Sequence, residues 1–206
     1  MLGLPAERDN GEIFLDLLVA ALQREERDLA GLNFDQPERK PSSVCDIGEV
    51  YIHNLLLKEA MRRTGVDSPY LEWEHPYDGS RCKCDICFVH YVDGMAVPYA
   101  AFEIKGPWDS NYPLVYNLRS KVRADIAKHS ACIQKTIDPV ERYSVIMVVG
   151  TKQDNDSWMH RLDPDLQNPT CRWSKAIPMN TRRRASSSVL RADVLKYGTG
   201  QAAGIR

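Results

Sequence analysis

Long apolar runs are missing from this chain. The greasiest stretch, residues 13–22, is broken by Asp16, and no run of about 18 apolar residues occurs, so a membrane-spanning helix is excluded. Residues 1–10 show no basic start leading into an apolar segment, which argues against a secretory leader and makes a cytoplasmic protein the expectation. Cysteine is sparse. Six residues (Cys45, Cys82, Cys84, Cys87, Cys132, Cys171) among 206 are too few for a disulfide scaffold and fit reduced, buried thiols. Glycine-rich phosphate loops, HxH and HExxH spacings and internal repeats are absent as well, which removes the commonest nucleotide-binding and zinc-hydrolase signatures.

A net charge of one sign is also lacking: 27 Lys+Arg stand against 28 Asp+Glu, for a formal −1. That balance conceals a split. Residues 1–110 carry 11 basic against 20 acidic side chains, or −9, and residues 111–206 carry 16 against 8, or +8. The hydrophobic share of 43% and the charged share of 27% are those of an ordinary folded protein, so disorder and coiled coil are excluded. The length suits a single domain.

Phe14, Leu17, Leu18, Ala21, Leu22 and Leu29 recur at helical spacing ahead of Gly31, which predicts an amphipathic helix over residues 11–30. Ser43 followed by Asp46 suits the start of a second helix, running to about Thr64 and stopped by Gly65. Its apolar positions form two stripes: Ile47, Val50, Tyr51 and Leu55, then Ile52, Leu56 and Ala60. A helix apolar on both sides is expected to be buried on both. Glu49 and His53 fall on the second stripe, a costly place for a carboxylate that has no partner or task. Strands are predicted over residues 70–77, 83–92 and 97–105, with Asp93-Gly94 marking a hairpin. A helix over 118–135, a fully buried strand over 142–149, a short helix over 157–162 and a strand over 171–177 follow, and then a basic tail.

The chemistry concentrates in the hairpin. Glu103 and Lys105 share one face of a strand because residues two apart do so. Asp85 lies in the preceding strand between apolar neighbours. If Asp85 and Glu103 face each other, two hard oxygen ligands converge, as Mg²⁺ requires. Directly opposed residues of an antiparallel pair have a constant sum, so this needs the even sum 188, whereas a two-residue Asp93-Gly94 turn gives 187 and sends the acids to opposite faces. A three-residue loop over 93–95, or a bulge elsewhere in the hairpin, is therefore expected. Glu72 and Glu74 alternate with apolar residues on the first strand, where a solvated face is the expectation.

Asp85, the Glu103-Ile104-Lys105 tripeptide and a preceding helix bearing Glu49, set in the order αβββαβ, resemble the PD-(D/E)XK nuclease superfamily. Cys84 stands where that motif carries proline. The resemblance implies an α/β fold of three layers, α/β/α: a restriction endonuclease-like core with a central mixed sheet over residues 44–150, an N-terminal helical extension over 1–43 and a basic tail over 180–206. It implies a nuclease using Mg²⁺ or Mn²⁺, with DNA the expected substrate. Asp85 and Glu103 become the metal ligands, Glu49 a supporting ligand, and Lys105 the residue that orients the attacking water. Phosphate contacts are expected from Lys121, Arg123 and Lys128 on the long helix and from Arg182, Arg183 and Arg184 in the tail. A homodimer would suit cleavage of two strands.

Two other classes compete. The chain can be a nuclease-fold binding or assembly module without catalysis. It can also be a zinc or iron-sulfur protein built on Cys82, Cys84, Cys87 and His90, although three thiols in one predicted strand depart from the paired C-x(2–4)-C segments of zinc sites.

Overall fold

The computed structural model describes residues 8–31, 49–63, 69–76, 83–111, 116–133, 140–179 and 188–198. Helix α1 (Asn10–Gly31) begins where Asp9 accepts a hydrogen bond from the Gly11 N–H at 2.8 Å, satisfying a donor that the first turn leaves open. Its Phe14, Leu17, Leu18 and Leu22 are buried, as the periodicity predicts. Helix α2 (Glu49–Arg62) packs against it, joined by the Glu59 carboxylate, which meets Arg24 at 3.1 Å, and by Arg63 donating to the Asp16 carbonyl at 3.0 Å.

Strands β1 (Tyr70–Pro76), β2 (Lys83–Val92) and β3 (Met95–Asp109) form an antiparallel meander. Helix α3 (Tyr116–Ile133) then carries the chain to β4 (Glu141–Gly150), parallel to β3. Helix α4 (Lys152–Leu162), a 3-10 turn (Asp163–Asp165), β5 (Cys171–Pro178) and β6 (Val189–Tyr197) complete the order. The result is one mixed sheet in the order β1-β2-β3-β4-β6-β5. One core cluster joins α1 and α2 to Ile86, Phe88, Phe102, Ile104, Val145 and Val194; a second joins α3 and α4 to Ile146, Val148 and Leu195. The helices thus cover both faces, which is the three-layer α/β arrangement expected. No helix among the described residues is long and apolar enough to cross a membrane.

Of the two alternatives for the hairpin, the bulge is the one present: the turn itself has two residues, with Val92 opposite Met95 and positive φ at both Asp93 and Gly94. Three expectations are corrected. Val50 and Tyr51 are exposed, so the first stripe of α2 is buried only in part, at Leu55. Helix α4 starts five residues before the expected Ser157, because the Thr151 hydroxyl accepts from the Asp154 N–H at 3.1 Å and caps it there. Finally, the region read as a basic tail contains β6, which is hydrogen-bonded on both sides, to β4 and to β5. Its charges hid its alternation: Asp193 is fully buried, where it accepts from Arg172 at 2.8 Å and Arg191 at 2.7 Å and from the Ser174 hydroxyl.

Candidate functional site

The register question is settled by a bulge. From the turn, Val92↔Met95 to Val89↔Pro98 sum to 187, but Phe88↔Ala100, Cys87↔Ala101 and Ile86↔Phe102 sum to 188, with the shift between Phe88 and Val89. Tyr99 is the extra residue. Pro98 beside it has no N–H to give a ladder, which makes this a natural place for pairing to slip. Continued one step, that register would bring Asp85 level with Glu103, but the paired ladder ends at Ile86 and Phe102. Because Lys105 pairs with Ile146 of the α3–α4 cluster, Glu103 and Lys105 lie on that face of the sheet. A second irregularity follows at once. Between Lys105 and Trp108 the β3–β4 register shifts through the cis Gly106-Pro107 peptide. Gly106 has φ +102°, and a Cβ there would meet the Met147 carbonyl oxygen at 2.4 Å, so only glycine fits. The E-x-K tripeptide is therefore framed by two bulges, devices that re-aim strand side chains.

The last registered β2–β3 pair is Ile86 with Phe102, and beyond it the Asp85 side chain replaces the ladder. Its Oδ2 accepts from the Ile104 N–H at 2.7 Å. The Lys105 ammonium lies 3.9 Å from the same oxygen and 3.3 Å from Oδ2 of Asp125 on α3. Asp85, Lys105 and Asp125 keep about a quarter of their side chains exposed, whereas Glu103 is buried. Glu49 opens α2, but its side chain lies outside the described residues.

Two residues at this place carried no role in the sequence reading. His53 of α2 is buried, with no hydrogen bond to either ring nitrogen among the described residues, and lies edge-on to Trp73 at 5.9 Å. Burial pushes its pKa down first, Asp85 opposes that, Lys105 reinforces it, and the balance is a neutral imidazole. Its place on the stripe of Ile52 and Leu56 was the available signal. Asp125 gave none, since an acid four residues after Lys121 on an amphipathic helix reads as a solvated pair. On β1, Glu74 sits across from Asp85 at a ladder break with φ 51° and pairs with Lys83 at 2.9 Å, while Glu72 meets His75 at 2.6 Å.

A magnesium ion takes one or two carboxylates and fills its remaining positions with water and substrate oxygens. Asp85 offers one partly exposed carboxylate toward that minimum, and the neighbouring strand's Glu103 a buried one. Among the described residues, no three His, Cys, Asp or Glu side chains are grouped to hold a metal by themselves. Cys84 donates to the Ile86 and Phe102 carbonyls and Cys87 is buried with Val89 and Ala101, as small hydrophobes are; His90 stacks on Tyr99, and Cys82 lies outside the described residues. Of the expected phosphate contacts, Lys121 is exposed on α3. Arg123 is engaged with the buried Asp165, where Arg119 also converges. The Lys128 side chain and Arg182, Arg183 and Arg184 fall outside the described residues. Compared with known proteins, the chain matches no family model, no curated protein and no solved structure.

Proposed function

We propose that this chain is a divalent-metal-dependent nuclease of the restriction endonuclease-like type, hydrolysing phosphodiester bonds in DNA in the cytoplasm. The observation that supports the reading is the Tyr99 bulge, which brings the register to 188 as far as Ile86 and Phe102, with the Lys105 ammonium 3.9 Å from the Asp85 carboxylate just beyond. A strand pair with the two-residue turn and no bulge would have had none of this. Asp85 and Glu103 are the residues that would hold Mg²⁺ or Mn²⁺, with Glu49 as support. Bound there, the ion supplies a lowered pKa for water and charge stabilisation on phosphoryl oxygens. The chain's own part is positional. Asp85 is fixed by the Ile104 N–H, and Lys105 offers a directed cation to the attacking water and to the charge that grows on phosphate. Lys121 on exposed α3 would meet the phosphate backbone.

The test is incubation of duplex DNA with the protein and Mg²⁺ or Mn²⁺ beside Asp85→Ala and Lys105→Ala. Loss of cleavage by at least about a hundredfold in both variants is expected; equal cleavage by all three proteins would overturn the proposal. A second reading, a nuclease-fold binding module without catalysis, draws on the burial of Glu103 and on the missing third donor among the described residues. It predicts that DNA is bound, no divalent ion is taken up at Asp85, and no bond is cut.

A further inference from the structure

Helix α3 is basic, with Arg119, Lys121, Arg123 and Lys128, and Asp125 is its one acid. That acid approaches Lys105 of β3. Val122 and Ile126, on either side of it in the helix, are buried against Ile146 and Val148 of the sheet, so the Asp125 backbone is anchored at a fixed height above β3. Arg119 and Arg123 are drawn to Asp165, and Lys105 is the ion-pair partner of Asp125 among the described residues.

The two distances to Lys105 are unequal in an informative direction. A carboxylate and an ammonium that meet without competition close to about 2.8 Å. Lys105 instead stands 3.9 Å from Asp85 and 3.3 Å from Asp125, and the same Asp85 oxygen already accepts the Ile104 N–H. We infer that Asp125 is a positioning residue that draws the Lys105 ammonium off Asp85, so that the Asp85 carboxylate stays open to a divalent cation while Lys105 remains beside it. The inference rests on the metal-nuclease reading and adds to it a role for α3. Without Asp125, the attraction of Lys105 to Asp85 would lose its opposing pull from α3, and a divalent ion would meet a closer monovalent competitor. For groups about a quarter exposed at these separations the effect is about three- to tenfold in metal affinity.

Titration of the full-length protein with Mn²⁺ alone, followed by electron paramagnetic resonance of the free ion, tests this without any substrate. Asp125→Asn is expected to bind Mn²⁺ about three- to tenfold more weakly than wild type, and Asp125→Glu to restore binding. In the Lys105→Met background, where no ammonium competes, adding Asp125→Asn is expected to change nothing. That last comparison separates positioning from a merely structural role or direct ligation, either of which would weaken binding with Lys105 absent too. Unchanged affinity in Asp125→Asn, or an equal loss in the Lys105→Met background, overturns the inference while leaving the nuclease reading standing. If wild type and Asp85→Ala bind Mn²⁺ alike, the metal site itself fails and the inference falls with it.

Discussion

A histidine whose two buried ring nitrogens have no partner among the described residues is a cost that the fold carries at the edge of the candidate site. Leaving a buried polar group without a hydrogen bond is unfavourable by about 1–3 kcal/mol, and protonating it there would be worse. Because burial holds the folded pKa of His53 below its ordinary value of 6.5, the unfolded chain binds the proton first, so this group's stabilisation is present above about pH 6.5 and fades as pH falls through the folded pKa. His53→Leu should therefore keep or raise the melting temperature at pH 7.5, and it should flatten the loss of stability that wild type shows on acidification from pH 7 to 5. Thermal melts at half-unit pH steps read both quantities. A variant that is less stable than wild type at pH 5 would show instead that the imidazole has a partner worth keeping. The approach of Asp85 to Lys105 was legible because strand alternation and a two-strand sum fix which side chains can meet. Asp125 and His53 were not, because a helix residue's partner depends on where the helix lands on the sheet, and single-chain periodicity does not encode that.

At the level of elements, five of the sheet's six strands were readable, both edges included, and the interior strand β6 was not. Strand β4 has an unbroken apolar run, VIMVV, over residues 145–149, whereas β6 intersperses Arg191, Asp193 and Lys196 with its apolar residues. Those charges are compatible with a central strand because neighbours answer them: Arg191 and Arg172 hold Asp193 from two strands. Burial alone would raise the Asp193 pKa, but hydrogen bonds from Arg191 and Ser174 and the charge of Arg172 outweigh it and bring the value down. A tail can be cut away; a strand hydrogen-bonded on both sides cannot. Ending the chain at residue 187 would remove the buried Leu190, Ala192, Val194 and Leu195 and leave β5 with no neighbour. The truncated chain is expected to lack cooperative unfolding in urea and to elute as an expanded or aggregated species. A sharp transition within about 1 kcal/mol of full length would mean that β6 contributes little. The hairpin teaches the complementary lesson. Parity arithmetic required one extra residue between Asp85 and Glu103, and it was right about the number; turn chemistry decided where the residue went, because Asp93-Gly94 takes up the two-residue turn so readily that the slip moved to Tyr99.

The whole molecule gives the two charge halves a geometry. The −9 half contributes α1, α2 and β1 to β3, and the +8 half contributes α3, β4, α4, β5 and β6, with the seam of the sheet between β3 and β4. Helix α1 does not stay on its own side but crosses to pack on β5 and β6. Acid meets base across that crossing, where the Lys196 ammonium on β6 lies 2.5 Å from both Asp9, ahead of α1, and Glu141 on β4, and the Tyr143 hydroxyl donates to the same two carboxylates. Burial by itself would raise the pKa of Asp9 and Glu141, but the hydrogen bonds from Lys196 and Tyr143, with Gly11 N–H at Asp9 and Asn10 at Glu141, pull both below their ordinary values. Folded-state pKa values lower than unfolded ones mean that the stabilisation is fully present above the carboxylate range and disappears as pH falls through the folded values. Lys196→Met removes the shared cation, so it should cost about 1–2 kcal/mol at pH 7, and the gap from wild type should narrow steadily below about pH 4 as both carboxylates protonate. Urea unfolding of the two proteins at pH 7, 5, 4 and 3 measures this directly. A gap that stays constant down to pH 3 would assign the loss to the contact of the Lys196 ammonium with the Tyr143 ring, 5.6 Å from its centroid, which does not titrate in this range, rather than to the two ion pairs.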